Sequence, residues 1–418
     1  MAQHDSARTR LLMVSLDAVD SRDVETLLTL PHFSALRAQG TLAQNIDSVF
    51  VSNTYVAHTS IITGTLPQRH GIVENLRTEP GSPSPGWRRD AREIRVPTLW
   101  RKAAQAGLSV CSVMYPVTGH APIRWNLVEV PDGMSLPRRA FTMLREGGAG
   151  FTLDAALHSP GVHGAFPEPW LDAFTSRFCV RSIRRHRPDL TLLHLIDTDA
   201  HKHKYGPRSG QARQSLLRHD ERLGALWGAM QETFGESAAL LVFSDHGSLP
   251  ASRRADPNEF LLARGFIRRP ARAARDFDVF SHNAGGSFFL KLLAPARRDE
   301  LLGAVPDLLR EPFVRRRLTE EEMARSGMAE EFLLGFEAQD GYTIGAKMEH
   351  GEHGYSLQRP DYHPFYLAVG PGVPKGGLLR GENVAGASIL DICPLAADLL
   401  GLPLWPMQGV DRVLPTKA

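Results

Sequence analysis

Residues 50 to 75 read Phe-Val-Ser-Asn-Thr-Tyr-Val-Ala-His-Thr-Ser-Ile-Ile-Thr-Gly-Thr-Leu-Pro-Gln-Arg-His-Gly-Ile-Val-Glu-Asn. The stretch places a hydroxyl, Thr54, where an apolar run gives way to a helix. Free amide donors at a helix N-terminus favour anions such as phosphate. Threonine is also a common N-cap residue, so the segment taken alone reads first as a capped helix. What gives it more weight lies elsewhere in the chain, where carboxylates and histidines stand at the ends of other apolar runs.

Outward from this stretch, apolar runs of strand length alternate with longer amphipathic stretches, the pattern of buried parallel strands linked by helices. Leu11 to Leu16 is the first expected strand and ends at Asp17. A helix is expected through Phe33 to Gln39, and Ile46 to Val51 is expected to be the strand that leads to Thr54. Leu99 to Ala106 reads as a helix with Gly107 as its C-cap, and Ser109 to Tyr115 as the strand after it. Leu190 to Ile196, Ala238 to Phe243 and Phe365 to Val369 are the remaining strong strands. Polar residues follow two of these at once, Asp197 to His203 and Ser244-Asp245-His246-Gly247. In open α/β sheets ligands bind at the carboxyl ends of the strands, so one crevice is expected to gather these groups.

Two segments break the alternation. Residues 116 to 175 are rich in Pro and Gly with weak periodicity and read as a loop-rich excursion over the sheet. Residues 252 to 345 carry their own strand, Gly286 to Leu292, and a helix around Leu301 to Leu309, and read as an inserted cap. The expected division is therefore a catalytic α/β core of residues 1–251 and 346–418 with a cap of residues 252–345.

Composition narrows the function classes. A chain of 418 residues with 42% hydrophobic content is long enough for one large domain with an insertion, or for two domains. A net charge of +2 points to neither a nucleic-acid track nor an acidic tail. The clusters Arg184-Arg185, Arg268-Arg269 and Arg315-Arg316-Arg317 are short and read as solvated helix faces. Cys111, Cys179 and Cys393 are far apart and form no metal-ligand spacing, which makes a reducing compartment the simpler expectation. The polar start, Met1 to Arg10, runs into an apolar stretch too short for a signal or a membrane span. A soluble cytoplasmic protein without a membrane segment is expected.

The chemistry-bearing residues are Asp17, Thr54, Asp199 with His203, Asp245 with His246, and His353 in Gly351-Glu352-His353-Gly354-Tyr355. Aspartate and histidine around an open position are what a catalytic zinc site uses. An Asp followed four residues later by a His puts both side chains on one face of a helical turn. Asp197 and His201 share that spacing with Asp199 and His203, so either pair could be the ligand pair.

These motifs, in order, carry a resemblance. Thr54-Tyr55, His58, Thr63-Gly64, Pro67 and His70-Gly71-Ile72, then Asp199 through Pro207, then Ser244-Asp245-His246-Gly247, then His353-Gly354-Tyr355, resemble the alkaline phosphatase superfamily. Within it they are most similar to the type I phosphodiesterase and nucleotide pyrophosphatase branch. Ser388 to Gly401 resembles the helix that closes this fold. The resemblance implies a mostly parallel α/β sheet sandwiched by helices, with an inserted smaller α+β cap. It implies two Zn²⁺ ions, with other divalent metals such as Mn²⁺ as substitutes. Asp199, His203 and His353 would hold one, and Asp17, Asp245, His246 and the Thr54 oxygen the other. The later Asp/His pair is preferred because His203-Lys204-Tyr205-Gly206-Pro207 continues the family motif without a gap. Three aspartates and a Thr54 alkoxide would balance the charge of two zinc ions, with neutral histidines, so the site can accept a phosphate ester.

By the same resemblance Thr54 is the expected nucleophile and forms a phosphothreonine intermediate, and Asn75 is expected to hydrogen-bond a non-bridging phosphate oxygen. Tyr55 occupies the aromatic position beside the nucleophile, where a ring can stack on the substrate, or packs in the core. His282-Asn283 is the cap segment that can approach the crevice. The expected substrate is a small phosphodiester or pyrophosphate. The alternatives sharing the site are a phosphate monoesterase and a phosphonate hydrolase, with Arg69 the nearest candidate for the extra cation a monoester needs. A sulfatase is disfavoured because residues 52 to 56 lack its modified-nucleophile motif, and cofactor-independent phosphoglycerate mutase because that relative uses Ser in place of Thr54. A metal-bound protein that holds phosphorylated ligands without turnover is the alternative of a different class.

Overall fold

The computed structural model describes residues 8–82, 84–130, 134–158, 167–357, 359, 362–379 and 384–414. The first residues of the polar N-terminal stretch lie outside them. Fifteen strands are present among these residues: β1 (Arg10–Leu16), β2 (Thr41–Gln44), β3 (Val110–Val113), β4 (Trp125–Leu127), β5 (Leu190–Leu195), β6 (Ala238–Phe243), β7 (Leu249–Ala255), β8 (Val279–Asn283), β9 (Ser287–Leu292), β10 (Val314–Arg317), β11 (Leu334–Ala338), β12 (Gly341–Ile344), β13 (Gly351–Glu352), β14 (Phe365–Val369) and β15 (Gly377–Leu379).

Eight of them form one sheet in the order β15-β2-β14-β6-β1-β5-β3-β4. β1 lies at its centre, parallel to both β5 and β6. Side chains alternate across a strand, and both faces here are covered. Leu11 and Met13 enter one hydrophobic core, Leu12, Val14 and Leu16 the other. Helices Thr54–Thr63, Leu99–Gln105 and Ile392–Leu399 supply the first core; Pro31–Gln39, Trp170–His186 and Gly210–Phe234 supply the second. Each fully buried Leu or Ile contributes roughly 1.5–3 kcal/mol to this double-sided packing. The sheet is thus the helix-flanked, mostly parallel α/β arrangement expected.

Three elements differ from the sequence expectations. Ile46 to Val51 is not a strand. The chain pairs earlier, at β2, and Asn45 at φ 57° turns it off the sheet. Ile46, Val49 and Val51 are buried all the same, which accounts for their apolar pattern. β14 is the strand expected but runs antiparallel to β6 and β2, because a continuous apolar run shows burial and not direction. Residues 116–175, expected to be a loop-rich excursion, hold among the described residues β4 and the helices Leu136–Glu146 and Ala149–Leu157 before Trp170–His186 begins. Leu136, Ala140, Met143 and Leu144 form an apolar stripe on helix Leu136–Glu146, although only Thr142 and Glu146 of that helix are buried.

A second, antiparallel sheet, β10-β11-β9-β8, and a third, β12-β7-β13, lie in the later part of the chain. Phe288, Leu290, Leu334 and Phe336 help form a core of their own there. β7 leaves the carboxyl end of β6, and β13 returns against it with Glu352 opposite Leu249. No helix among the described residues is long and apolar enough to cross a membrane.

Candidate active site

Asp17 follows β1, and its amide donates to the Leu195 carbonyl at 2.9 Å, so the β1–β5 ladder fixes where its carboxylate emerges. Asp245 and His246 follow β6, next to β1 in the sheet. Asp199 and His203 lie on helix Asp197–Tyr205 after β5, four residues apart, with His203 Nε2 3.3 Å from Asp199 Oδ1. His353 arrives by the β7–β13 pairing, which carries residues a hundred positions beyond β6 back to its end. The ends of β1, β5 and β6 and one hairpin-like return therefore meet in a single crevice.

Thr54 is the first residue of helix Thr54–Thr63, not its cap. Asn53 occupies the cap position in extended conformation (φ −102°, ψ 149°) without capping through its side chain. Its amide serves the site instead. Asn53 Nδ2 donates to Glu74 Oε1 at 2.6 Å, and Asn53 Oδ1 stands 2.7 Å from His353 Nδ1. An amide oxygen only accepts, so His353 carries its proton on Nδ1 and presents a lone pair at Nε2. His246 is oriented the same way by the Gly247 carbonyl, 3.1 Å from its Nδ1. His246 Nε2 then faces Asp245 Oδ2 at 3.2 Å, Thr54 Oγ1 at 3.4 Å and Asp17 Oδ1 at 3.5 Å.

Two donor groups result, Asp199 with His203 and His353, and Asp17 with Asp245 and His246, each with its ligand atoms within 4.8 Å of one another. They adjoin, since the His246 and His353 rings stack at 4.2 Å. Asp17 Oδ1, Asp245 Oδ2 and Asp199 Oδ1 are buried without a hydrogen-bond donor. Buried carboxylate oxygens gathered beside the Nε2 lone pairs of His246 and His353 form a donor set that suits divalent cations. Burial and the neighbouring Asp245 and Asp199 carboxylates push the Asp17 carboxyl well above its usual range. Burial likewise raises Asp245 to about 6 and lowers His246 to about 4. Burial opposes ionisation of Asp199, but His203 beside it holds the carboxyl below its usual range. These shifts are those of like donors crowded together, and positive charge brought among them relieves them.

The pair Asp197 and His201 takes no part. Arg218 and Arg222 each hold the Asp197 carboxylate at 2.7 Å, and His201 Nδ1 lies 2.9 Å from it. A third acidic group, Glu168 with Asp172 and Asp197, is engaged by these arginines and by the amides of Ile196 and Asp197.

Asn75 Oδ1 accepts from the Tyr55 amide at 2.8 Å, which leaves Nδ2 as the donor end of the side chain beside Thr54. Tyr55 itself is 1% exposed and packs on Trp87 with ring centroids 5.2 Å apart. Successive helix residues point about 100° apart, so the residue after Thr54 turns into the core and its ring offers no face to a ligand. Burial and then the nearby Glu129 carboxylate push its hydroxyl well up. Arg69 is exposed on the short helix Pro67–His70. Arg88 is paired with Glu93 and Glu331.

Several residues acquire a role only in three dimensions. Glu74 Oε1 also accepts from the Asn75 amide at 2.5 Å, and His282 Nε2 of β8 lies 3.5 Å from Glu74 Oε2. His194 Nε2 donates to Asp17 Oδ2 at 3.1 Å, and His58 bridges the Thr54 carbonyl and Ser15 Oγ, both at 2.8 Å. A lone histidine inside the apolar run of β5 was the one visible signal for His194. Glu74 showed none beyond its place before Asn75.

Residues 11–356 match the family described as type I phosphodiesterase/nucleotide pyrophosphatase. The chain is 24% identical over 422 residues to the bis(5'-adenosyl)-triphosphatase enpp4 of Mus musculus, covering 97% of this chain and 80% of that protein. It is also 24% identical to ectonucleotide pyrophosphatase/phosphodiesterase family member 7 of Rattus norvegicus, covering 97% of this chain and 86% of the relative. Among solved structures, an inactive variant of murine ectonucleotide pyrophosphatase/phosphodiesterase 5 in complex with AMP superposes with a TM-score of 0.69 at 18% identity, over 96% of this chain and 97% of that one.

Proposed function

The chain belongs to the type I phosphodiesterase/nucleotide pyrophosphatase family of the alkaline phosphatase superfamily, and from that membership we propose a metal-dependent hydrolase of phosphodiester or pyrophosphate bonds acting through Thr54. The enzymes of this family hydrolyse phosphoric esters. The observation that carries the proposal for this chain is the set of buried, donorless carboxylate oxygens and imidazole lone pairs converging beside Thr54 Oγ1.

Asp199, His203 and His353 are assigned to one divalent cation, and Asp17, Asp245 and His246, with Thr54 Oγ1, to a second. Cations held there, zinc by the Asp and His donor set, would lower the pKa of the Thr54 hydroxyl and offset charge on the phosphate oxygens. Thr54 Oγ attacks phosphorus while the bond to the leaving oxygen breaks in line, and water then cleaves the phosphothreonine and restores the hydroxyl. Asn75 Nδ2 donates to a non-bridging oxygen, a contact worth about 2.7–4 kcal/mol where it strengthens in the transition state. Glu74 holds Asn53 and Asn75, and so sets both the His353 tautomer and the phosphate donor. Arg88 is spent on carboxylates, Arg69 faces solvent, and Lys202 is buried on Asp20 and Asp23. That set of neighbours suits a singly charged diester better than a monoester.

Thr54→Ala is expected to abolish hydrolysis of bis-p-nitrophenyl phosphate while its zinc content matches wild type. Wild type is expected to turn over that diester faster than p-nitrophenyl phosphate or phosphonoacetate. Unchanged turnover in the mutant would remove Thr54 as nucleophile, and a preference for the monoester or phosphonate would reassign the substrate class.

A further inference from the structure

The second sheet meets the active site through the β8–β9 hairpin. His282 on β8 is 5% exposed, and its Nε2 lies 3.5 Å from Glu74 Oε2. Both atoms are buried, and neither has a hydrogen-bond partner. Past the turn, the Gly286 amide donates to the His353 carbonyl at 2.6 Å, and Ser287 Oγ donates to the Gly354 carbonyl at 2.6 Å. A side chain at Gly354, where φ is +83°, would collide with the Ala284 carbonyl oxygen, so this glycine lets the hairpin lie against the segment that carries His353.

These contacts form a closed circuit. From His282 it runs to Glu74, from Glu74 Oε1 to Asn53 Nδ2 at 2.6 Å, from Asn53 Oδ1 to His353 Nδ1 at 2.7 Å, and from the His353 carbonyl back to Gly286. The Ala284 amide, donating to the Ser287 carbonyl at 2.8 Å, ties the two arms of the hairpin together. A small apolar core backs the circuit. In it Val51 and Val73, which come shortly before Asn53 and Glu74 in the chain, join Ala284, Phe289 and Phe332. Phe332 also packs on the His282 imidazole, with ring centroids 5.5 Å apart. Buried polar atoms are almost always paired, and His282 Nε2 and Glu74 Oε2 have only each other. A carboxylate oxygen accepts, so the imidazole proton belongs on Nε2, and a closure of about half an ångström brings the pair to the usual N–H···O length.

We propose that His282 is a positioning residue of the active site: by donating from Nε2 to Glu74 Oε2 it fixes the carboxylate whose other oxygen sets the Asn75 donor and, through Asn53, the His353 tautomer. The β8–β9 hairpin thereby serves as one wall of the site. The effect on turnover rests on the hydrolytic reading, whereas the contact itself is measured without activity.

His282→Leu removes the donor and keeps an apolar side chain against Phe332, while His282→Gln restores a donor close to the Nε2 position. Both are compared with wild type in the full chain with Zn²⁺ present, and His282→Leu is also combined with Glu74→Ala, which leaves the histidine nothing to hold. On the phosphate ester that wild type turns over fastest, His282→Leu is expected to lower kcat about tenfold with KM within about twofold, the mark of a contact made in the transition state. His282→Gln is expected to recover most of the loss. With Glu74→Ala in place, His282→Leu is expected to change kcat by less than about twofold. Urea unfolding of wild type, the two single variants and the double variant is expected to show the same coupling, the double variant losing at least about threefold less in the unfolding constant than the product of the single losses. Wild-type kcat in His282→Leu, a loss confined to KM, a His282→Gln as impaired as His282→Leu, or effects that multiply in both measurements would overturn the proposal. Were wild type to turn over no phosphate ester, the hydrolytic reading would fail while the urea cycle still decided whether His282 holds Glu74.

Discussion

Thr54 begins its helix without a side-chain cap because Asn53, the residue that could supply one, has its amide spent between Glu74 and His353. A residue type suited to capping is thereby turned into an orienter of an imidazole. Glu74 is the pivot, since one carboxylate oxygen receives both Asn53 Nδ2 and the Asn75 amide. Groups that orient metal ligands typically matter 10- to 100-fold in affinity or activity. Glu74→Gln is expected to lower kcat on bis-p-nitrophenyl phosphate by about that factor while Tm changes little; wild-type kcat in the variant would show that Asn53 and Asn75 hold their places unaided. The ligand candidates were legible because each ends an apolar run or sits in a motif of fixed spacing. Glu74, Asn53 and His194 were not, because their worth lies in a contact with a residue distant in sequence.

Helix Asp197–Tyr205 shows how an element is aimed. Asp172 receives the amides of Ile196 and Asp197 at 3.0 and 2.9 Å, and Asp197 is clamped by Arg218 and Arg222. That anchoring, invisible in the spacing, is why Asp199 and His203 rather than Asp197 and His201 face the crevice. Glu168, beside this anchor, keeps a proton in the folded state up to about pH 9 because burial and Asp172 disfavour its charge, whereas an ordinary Glu loses it near 4.5. The folded chain then binds one more proton than the unfolded chain between those values, so stability falls as pH rises through them. Glu168→Gln is expected to flatten that decline and to be more stable than wild type at pH 8. Parallel urea titrations at pH 5 and pH 8 measure it, and equal pH slopes in the two proteins would contradict it. The helices of residues 136–157 went unread although Leu136, Ala140, Met143 and Leu144 recur at helical spacing, because the Pro and Gly residues around them obscured the pattern.

At the scale of the whole molecule, the donor groups join β1, β5, β6 and the return strand β13, elements that the chain visits far apart. A cation bound there ties these elements in the folded state alone, which stabilises it by about 2.7 kcal/mol at a hundredfold excess over Kd. Dialysis against a chelator is expected to abolish diester hydrolysis and to lower Tm, and added Zn²⁺ to restore both. Full activity and unchanged Tm after metal loss verified by elemental analysis would argue against the ligand assignment. The sequence by itself determined that strands are buried on both faces, and it located their polar ends, because burial leaves a mark on composition at each position. It determined the order of the motifs for the same local reason. Tertiary structure alone decided that β14 runs backwards, that Tyr55 points into the core, and that Glu74 joins two asparagines. Those properties belong to relations between distant segments, and the free energy that fixes them arises only when the segments pack.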